Sequence, residues 1–155
     1  MSGDNGWSKT LRGGMPKAGA IAERDKAMSI HDIELFTEIT GDRNPLHYDE
    51  ALAKTSSFGG LIVQGGVTSG MLNAIGAEDL PGPGTVFLGM ELKFSKGVLV
   101  GDTVTGRVEV KTVREDKPIC TVEVSVKISI ERHRDDLHDA AQKGLIARAF
   151  RPSTA

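Results

Sequence analysis

The longest regular pattern lies in the second half of the chain. From Ile119 to Ile130 apolar and polar residues alternate, with Val122, Val124, Val126, Ile128 and Ile130 on one face. A period of two sustained that far predicts a strand of an antiparallel sheet with one buried face. A second alternating run follows a turn at Gly101-Asp102 and ends at Val113, and Thr85 to Phe94 reads as a further strand. GLIARAF reads as the last strand, with the charged ERHRDDLHDAAQK before it as a hairpin loop. PGPG, Pro81 to Gly84, divides this β half from a helical first half.

In that first half the pattern between Ala20 and Ser29 allows one short strand. SIHDIELFTEIT then carries helix signals: Ser29 to cap, Asp32 at the positive end of the dipole, Ile33, Leu35, Phe36 and Ile39 as an apolar face, and Gly41 as the stop. YDEALAKTSSF predicts a second, short helix. Further on, Val67, Met71, Leu72 and Ile75 recur at helical spacing in a segment that also holds Gly66, Gly70 and Gly76. Each interior glycine costs roughly 1 kcal/mol relative to alanine. A helix that accepts this is expected to be enclosed, with another element close to its backbone. One such helix and several long antiparallel strands predict an α+β fold in which the sheet wraps the helix.

The length of 155 residues fits one domain. Residues 1–20, rich in Gly, Ser and Lys, are expected to be a flexible or loosely docked N-terminal arm, and 21–155 the domain. Trp7, the one tryptophan, either anchors that arm to the body or a second subunit, or remains a partly exposed ring. Lys plus Arg (19) nearly balances Asp plus Glu (21), which speaks against nucleic acid or an anionic membrane as partner. The N-terminus has no apolar signal core and no run is long enough to span a membrane, so a cytoplasmic protein is expected. The lone Cys120 excludes an intrachain disulfide, fits a reducing compartment, and is expected to be a buried structural thiol.

Candidate chemistry sits in GDRNPLHYDE, Gly41 to Glu50, where Asp42 and His47 flank Asn44-Pro45. Pro45 fixes its own φ and moves Asn44 out of the helical region, and Asn44 can bond its neighbouring backbone, so the segment is pre-set as a turn. Two readings stand: helix caps and a solvated histidine, or a carboxylate and an imidazole aimed at one water for general acid–base work. Gly65-Gly66 opens the glycine-rich helix, where unpaired N–H groups favour negative charge and glycine admits a ligand. A backbone donor of this kind suits a thioester carbonyl becoming an enolate, and with the acid–base pair it points to addition of water across an α,β-unsaturated thioester. His133, Asp135, Asp136, His138 and Asp139 lack the spacing of a helical zinc pair and read as a solvated charged loop, so no metal is expected. Lys93, Lys96, Lys111, Arg114 and Lys117 gather at strand ends and are ordinary surface cations or contacts for the phosphates of a ligand.

The order GDRNPLH, IVQGG, LPGPGTVFLGMELKF, VGDTVTGRVEV and REDKPICTVEV resembles the MaoC-like, (R)-specific enoyl-CoA hydratases, from about Glu23 to Ile130. The resemblance implies a hot-dog fold, an antiparallel sheet wrapped around a central helix, with subunits paired as dimers or larger homo-oligomers. It implies that Asp42 and His47 activate and deliver water, that Asn44 with Pro45 supports the turn, and that the Gly65 N–H faces the thioester oxygen. The implied reaction is reversible hydration of a trans-2-enoyl-CoA to an (R)-3-hydroxyacyl-CoA, with an acyl-CoA as substrate and no cofactor. Where the family usually has His-Gly-Met, this chain has Gln64-Gly65-Gly66. That departure changes the wall of the substrate-binding site, and the missing side chain at Gly66 leads to an expectation of room for a different acyl shape. Glu131 to Gln142 is longer and more charged than the family's hairpin and reads as a divergent surface insertion. The alternatives are a thioesterase or a branched or dicarboxylic acyl-CoA dehydratase on the same fold, and a non-catalytic acyl-CoA-binding module.

Overall fold

A computed structural model describes residues 6–12 and 14–129, together with the backbone of the strand Leu145–Ala149. The loop 131–142, with its histidines and aspartates, lies outside the described residues. The chain runs β1 (Ile21–Ala27), α1 (Ile30–Thr40), α2 (Glu50–Thr55), α3 (Gly65–Ala74), β2 (Thr85–Met90), β3 (Thr103–Val113), β4 (Cys120–Ile128) and β5 (Leu145–Ala149). The strands form one sheet in the order β1-β3-β4-β5-β2, and neighbours are antiparallel.

Alternation decides which face of the sheet meets α3. Val104, Val108 and Val110 of β3 pair across to Ile128, Val124 and Val122 of β4. The five valines are at most 1% exposed, and so sit in the core with Met71, Leu72 and Ile75 of α3. Full burial of one such side chain is worth about 1.5–3 kcal/mol. Gly106, buried between Val104 and Val108, lets the helix approach: a Cβ there would lie 2.9 Å from the Ile75 side chain and 3.2 Å from that of Met71. The expected wrap of a sheet around a glycine-containing helix is therefore the observed architecture. Beyond Ala74 the helix loosens into a π-type turn, Ile75–Asp79, whose acidic end is held by Arg24 of β1 through Asp79 (2.5 Å) and Glu78 (2.9 Å).

Two local expectations differ from the structure. β2 stops at Met90 rather than Phe94, because its partner β5 begins there, Met90 opposite Leu145. On α1 the buried residues are Ile33 and Thr37, one turn apart. Leu35 and Ile39 instead form an open second stripe, with Ile39 83% exposed. Residues 6–12, read as part of a flexible or loosely docked arm, are docked on the body at two points. The Trp7 ring is buried and its indole N–H donates to the Arg114 carbonyl at 2.7 Å, while Arg12 donates to the Pro81 carbonyl at 2.7 Å. Cys120 is buried as expected, and burial pushes its thiol up to about 11, with Arg12 opposing slightly. Among the described residues no helix is long and apolar enough to cross a membrane.

Candidate active site

The site begins with the way α1 starts and stops. Ser29 accepts from the Asp32 N–H, and the Asp32 carboxylate accepts from the Ser29 N–H at 2.9 Å, a reciprocal cap. Gly41 ends the helix at φ 77°, a left-handed conformation that suits glycine, and its N–H returns to the Thr37 carbonyl. The chain then makes two side-chain-to-backbone turns in succession. Asp42 Oδ1 accepts from the Asn44 N–H at 3.1 Å, and Asn44 Oδ1 accepts from the Leu46 N–H at 3.1 Å. Pro45 heads a short 3-10 turn, Pro45–His47, that brings the imidazole back toward Asp42.

His47 is buried, and its Nδ1 lies 2.7 Å from the Ile62 carbonyl. A carbonyl only accepts, so Nδ1 carries a proton, and the neutral form of the ring with that tautomer has its lone pair on Nε2. That Nε2 is 3.7 Å from Asp42 Oδ2. The gap is too long for a direct hydrogen bond and suits one oxygen bridging the two. The Asp42 side chain is 39% exposed, so the pair is open to solvent on the carboxylate side and closed on the imidazole side. Asp42, Asn44, Pro45 and His47, expected from the sequence to act together, are thus brought together.

Gly65 is the first residue of α3, and Gln64 before it gives no side-chain cap to the helix. The opening N–H groups of α3 therefore lack that usual partner. Gly65 also lines a cleft of about 510 Å³ with Phe58, Ile62, Thr68, Phe94 and Lys96. The Phe94 ring lies over Gly65, 2.8 Å from where a Cβ would be, so only glycine fits there without displacing the ring. The cleft wall does not include Asp42 or His47; it is linked to His47 through Ile62, whose carbonyl holds the imidazole. Of the strand-end cations, Lys96 lines this cleft, whereas Lys111 and Arg114 are bound to Glu109 (2.9 Å) and Asp116 (2.5 Å).

The expectation of extra room at Gly66 is not met. A Cβ there would fall inside the contact distance of the Phe36 ring, which occupies the space from α1. Gln64 is 2% exposed and turns its amide nitrogen to α1, donating to the Ile33 carbonyl (3.3 Å) and Thr37 Oγ1 (3.1 Å). Its Oε1 is buried with no partner among the described residues, a penalty of about 1–3 kcal/mol that the two donor bonds must offset. Thr37 and the Ile62 carbonyl were not singled out from the sequence, and Phe36 was read only as part of the apolar face of α1. Thr37 had a signal: a polar residue one turn from Ile33 on the buried stripe of α1.

Comparison with known proteins places these features in a family. The family described as a MaoC like domain matches residues 13–131. The (R)-specific enoyl-CoA hydratase of Aeromonas caviae is 39% identical over 106 residues, 68% of this chain and 79% of that protein. The 3-hydroxybutyryl-CoA dehydratase of Methylorubrum extorquens is 37% identical over 110 residues, 68% of this chain and 70% of that one. The solved structure of the (R)-hydratase from A. caviae involved in PHA biosynthesis superposes with a TM-score of 0.76 at 32% identity, covering 85% of this chain and 95% of its own. With its sheet-wrapped helix and its Asp-x-Asn-Pro-x-His turn, this chain belongs to the MaoC-like family.

Proposed function

We propose that the protein hydrates a trans-2-enoyl-CoA to an (R)-3-hydroxyacyl-CoA, and catalyses the reverse dehydration. The observation that carries this reading is the 3.7 Å separation of His47 Nε2 and Asp42 Oδ2, with the imidazole tautomer set by Ile62. A water between them donates one hydrogen to each. Nε2 takes its proton as the water oxygen bonds to C3 of the substrate. The C2–C3 π electrons move onto the thioester oxygen, which the Gly65 N–H stabilises, with Gln64 and Gly66 on either side of that donor. The protonated imidazole, with the Asp42 carboxylate beside it, then returns the proton to C2. Atoms and charge balance without a metal or redox cofactor. One group handling the proton on one face gives syn addition, and acid–base help of this kind is worth on the order of 10²–10⁴ in rate.

The substrate's thioester end meets the cleft beside Gly65, and Lys96 on its wall suits the phosphates of CoA. The partner is a second copy of the chain. β2 is an edge of the sheet, and it exposes Val86 and Leu88 (47% and 45%), apolar side chains that a second β2 would cover. The lone buried thiol fits action in the cytoplasm. The test is the ultraviolet absorbance of crotonyl-CoA with the wild type and with Asp42→Asn. Loss of the conjugated band with the wild type alone is expected; equal loss with both would remove Asp42 from the mechanism.

A further inference from the structure

Three elements that the proposed reaction needs in register meet at one buried hydroxyl. Thr37, 4% exposed, sits on the last turns of α1. Its Oγ1 donates to the Asp42 carbonyl at 2.7 Å, so its single hydrogen is committed there. Gln64 Nε2 donates to the same oxygen at 3.1 Å. The Tyr48 hydroxyl also contacts it, and with the Thr37 hydrogen spent, Tyr48 must be the donor. The hydroxyl is then saturated: one bond given, two received. The bond to Asp42 reaches the backbone of the catalytic carboxylate, and Tyr48 follows His47 directly. Gln64 is the residue immediately before Gly65. Its amide cannot be turned over without setting Oε1 against the Ile33 carbonyl, and it holds this orientation although Oε1 is left without a partner among the described residues. Directly beside Thr37, the Phe36 ring fills the space over Gly66. Thus the two positions where this chain leaves the His-Gly-Met pattern, Gln64 and Gly66, are each met by one of two consecutive residues of α1.

We infer that Thr37, with Gln64 and Tyr48, is a positioning unit that sets the Asp42–His47 turn relative to the Gly65 N–H. None of the three need touch the substrate. The inference rests on the hydratase reading for its effect on rate, but its structural half stands alone.

The experiment compares Thr37→Val, Thr37→Ser and Tyr48→Phe with the wild type. It follows crotonyl-CoA hydration and amide hydrogen exchange at Asn44, Leu46 and His47, with Val124 in β4 as the control for global opening. Thr37→Val keeps the side-chain shape and removes the hydroxyl. It is expected to lower kcat about 10- to 100-fold, the scale of a misplacement near 1 Å, with KM changed less than about twofold and faster exchange in the turn but not at Val124. Thr37→Ser should restore both readouts, which a purely space-filling role for Thr37 would not require. Thr37→Val with wild-type kcat and wild-type protection of the turn would overturn the inference. Should Thr37→Val fail to fold, Tyr48→Phe decides: slower turnover and faster exchange in the turn support the unit, and no change in either sinks it. Absence of turnover in the wild type would count against the hydratase reading alone; turn protection unchanged in the variants would then still overturn the positioning unit.

Discussion

The β3–β4 hairpin and the turn between α1 and α2 hold their residues by opposite means. In the hairpin, Val104, Val108, Val110, Val122, Val124 and Val126 are 0–3% exposed and carry no polar side-chain atoms; the backbone ladder supplies the hydrogen bonds. In the turn, Asp42, Asn44 and His47 each bond through a side-chain atom to a particular backbone group. Packing of apolar groups is non-directional, so volume matters more than identity. A hydrogen bond to a fixed backbone atom requires one group at one place, and a substitution that keeps the volume can still remove it. The hairpin should therefore tolerate change at a cost in stability alone, while the turn should lose function before it loses fold.

The largest effect expected from this contrast is in the turn. Asp42→Asn keeps an oxygen for the Asn44 N–H but loses the charge, and should reduce kcat on the order of 10²–10⁴-fold with an unchanged melting temperature. Steady-state rates beside a thermal melt check it, and a fall in melting temperature matching the fall in rate would break the contrast. Next is Gly66→Ala. Alanine normally gains roughly 1 kcal/mol over glycine in a helix, but against the Phe36 ring it should cost up to about 3 kcal/mol by overpacking. Phe36→Ala in the same chain should recover part of that cost, and a double-mutant cycle in urea measures the coupling. In the hairpin, Val124→Ala removes two buried carbons and should cost about 2 kcal/mol from transfer and cavity together. Its kcat should match the wild type at a temperature where both are folded.

The smallest effect concerns acid. Burial alone would raise the carboxyl of Asp32, yet its hydrogen bonds from Lys26 and Ser29 outweigh that and hold it below the usual range. A depressed native carboxyl contributes stability above its unfolded value and loses it as pH falls through the native one. Asp32→Asn should therefore flatten the acid side of the stability curve slightly, read from urea midpoints across pH, and leave the neutral side lower.

The hairpin was far more legible in the sequence than the turn's surroundings. Val122, Val124 and Val126 state their common face by alternation alone, and Cys120–Ile128 differs from the expected strand only at its ends. Ser29 and Gly41 marked both ends of α1 because capping is local chemistry. Asp42, Asn44, Pro45 and His47 were found through the rigidity of Asn-Pro and through family resemblance, both of which are written within a few residues. What was missed depends on contacts across the chain. The room assigned to Gly66 is taken by Phe36, thirty residues earlier, and no local pattern records that. The Ile62 carbonyl that orients His47 is a backbone atom and carries no sequence signal at all. Likewise the end of β2 depends on where β5 begins, which is a property of pairing rather than of either strand.

Trp7 gives the molecule an optical property. It is the chain's only tryptophan, it lies in the first segment described, and its ring is shielded while its N–H is tied to Arg114 at the end of the β3–β4 hairpin. Emission excited at the indole edge therefore reports a single place, the mooring of the N-terminal segment on the hairpin. Circular dichroism reports the helices and strands as a whole. Coincident transitions by the two signals would make that segment part of the cooperative fold, and an earlier red shift of the indole would show it lifting away while the sheet is still intact.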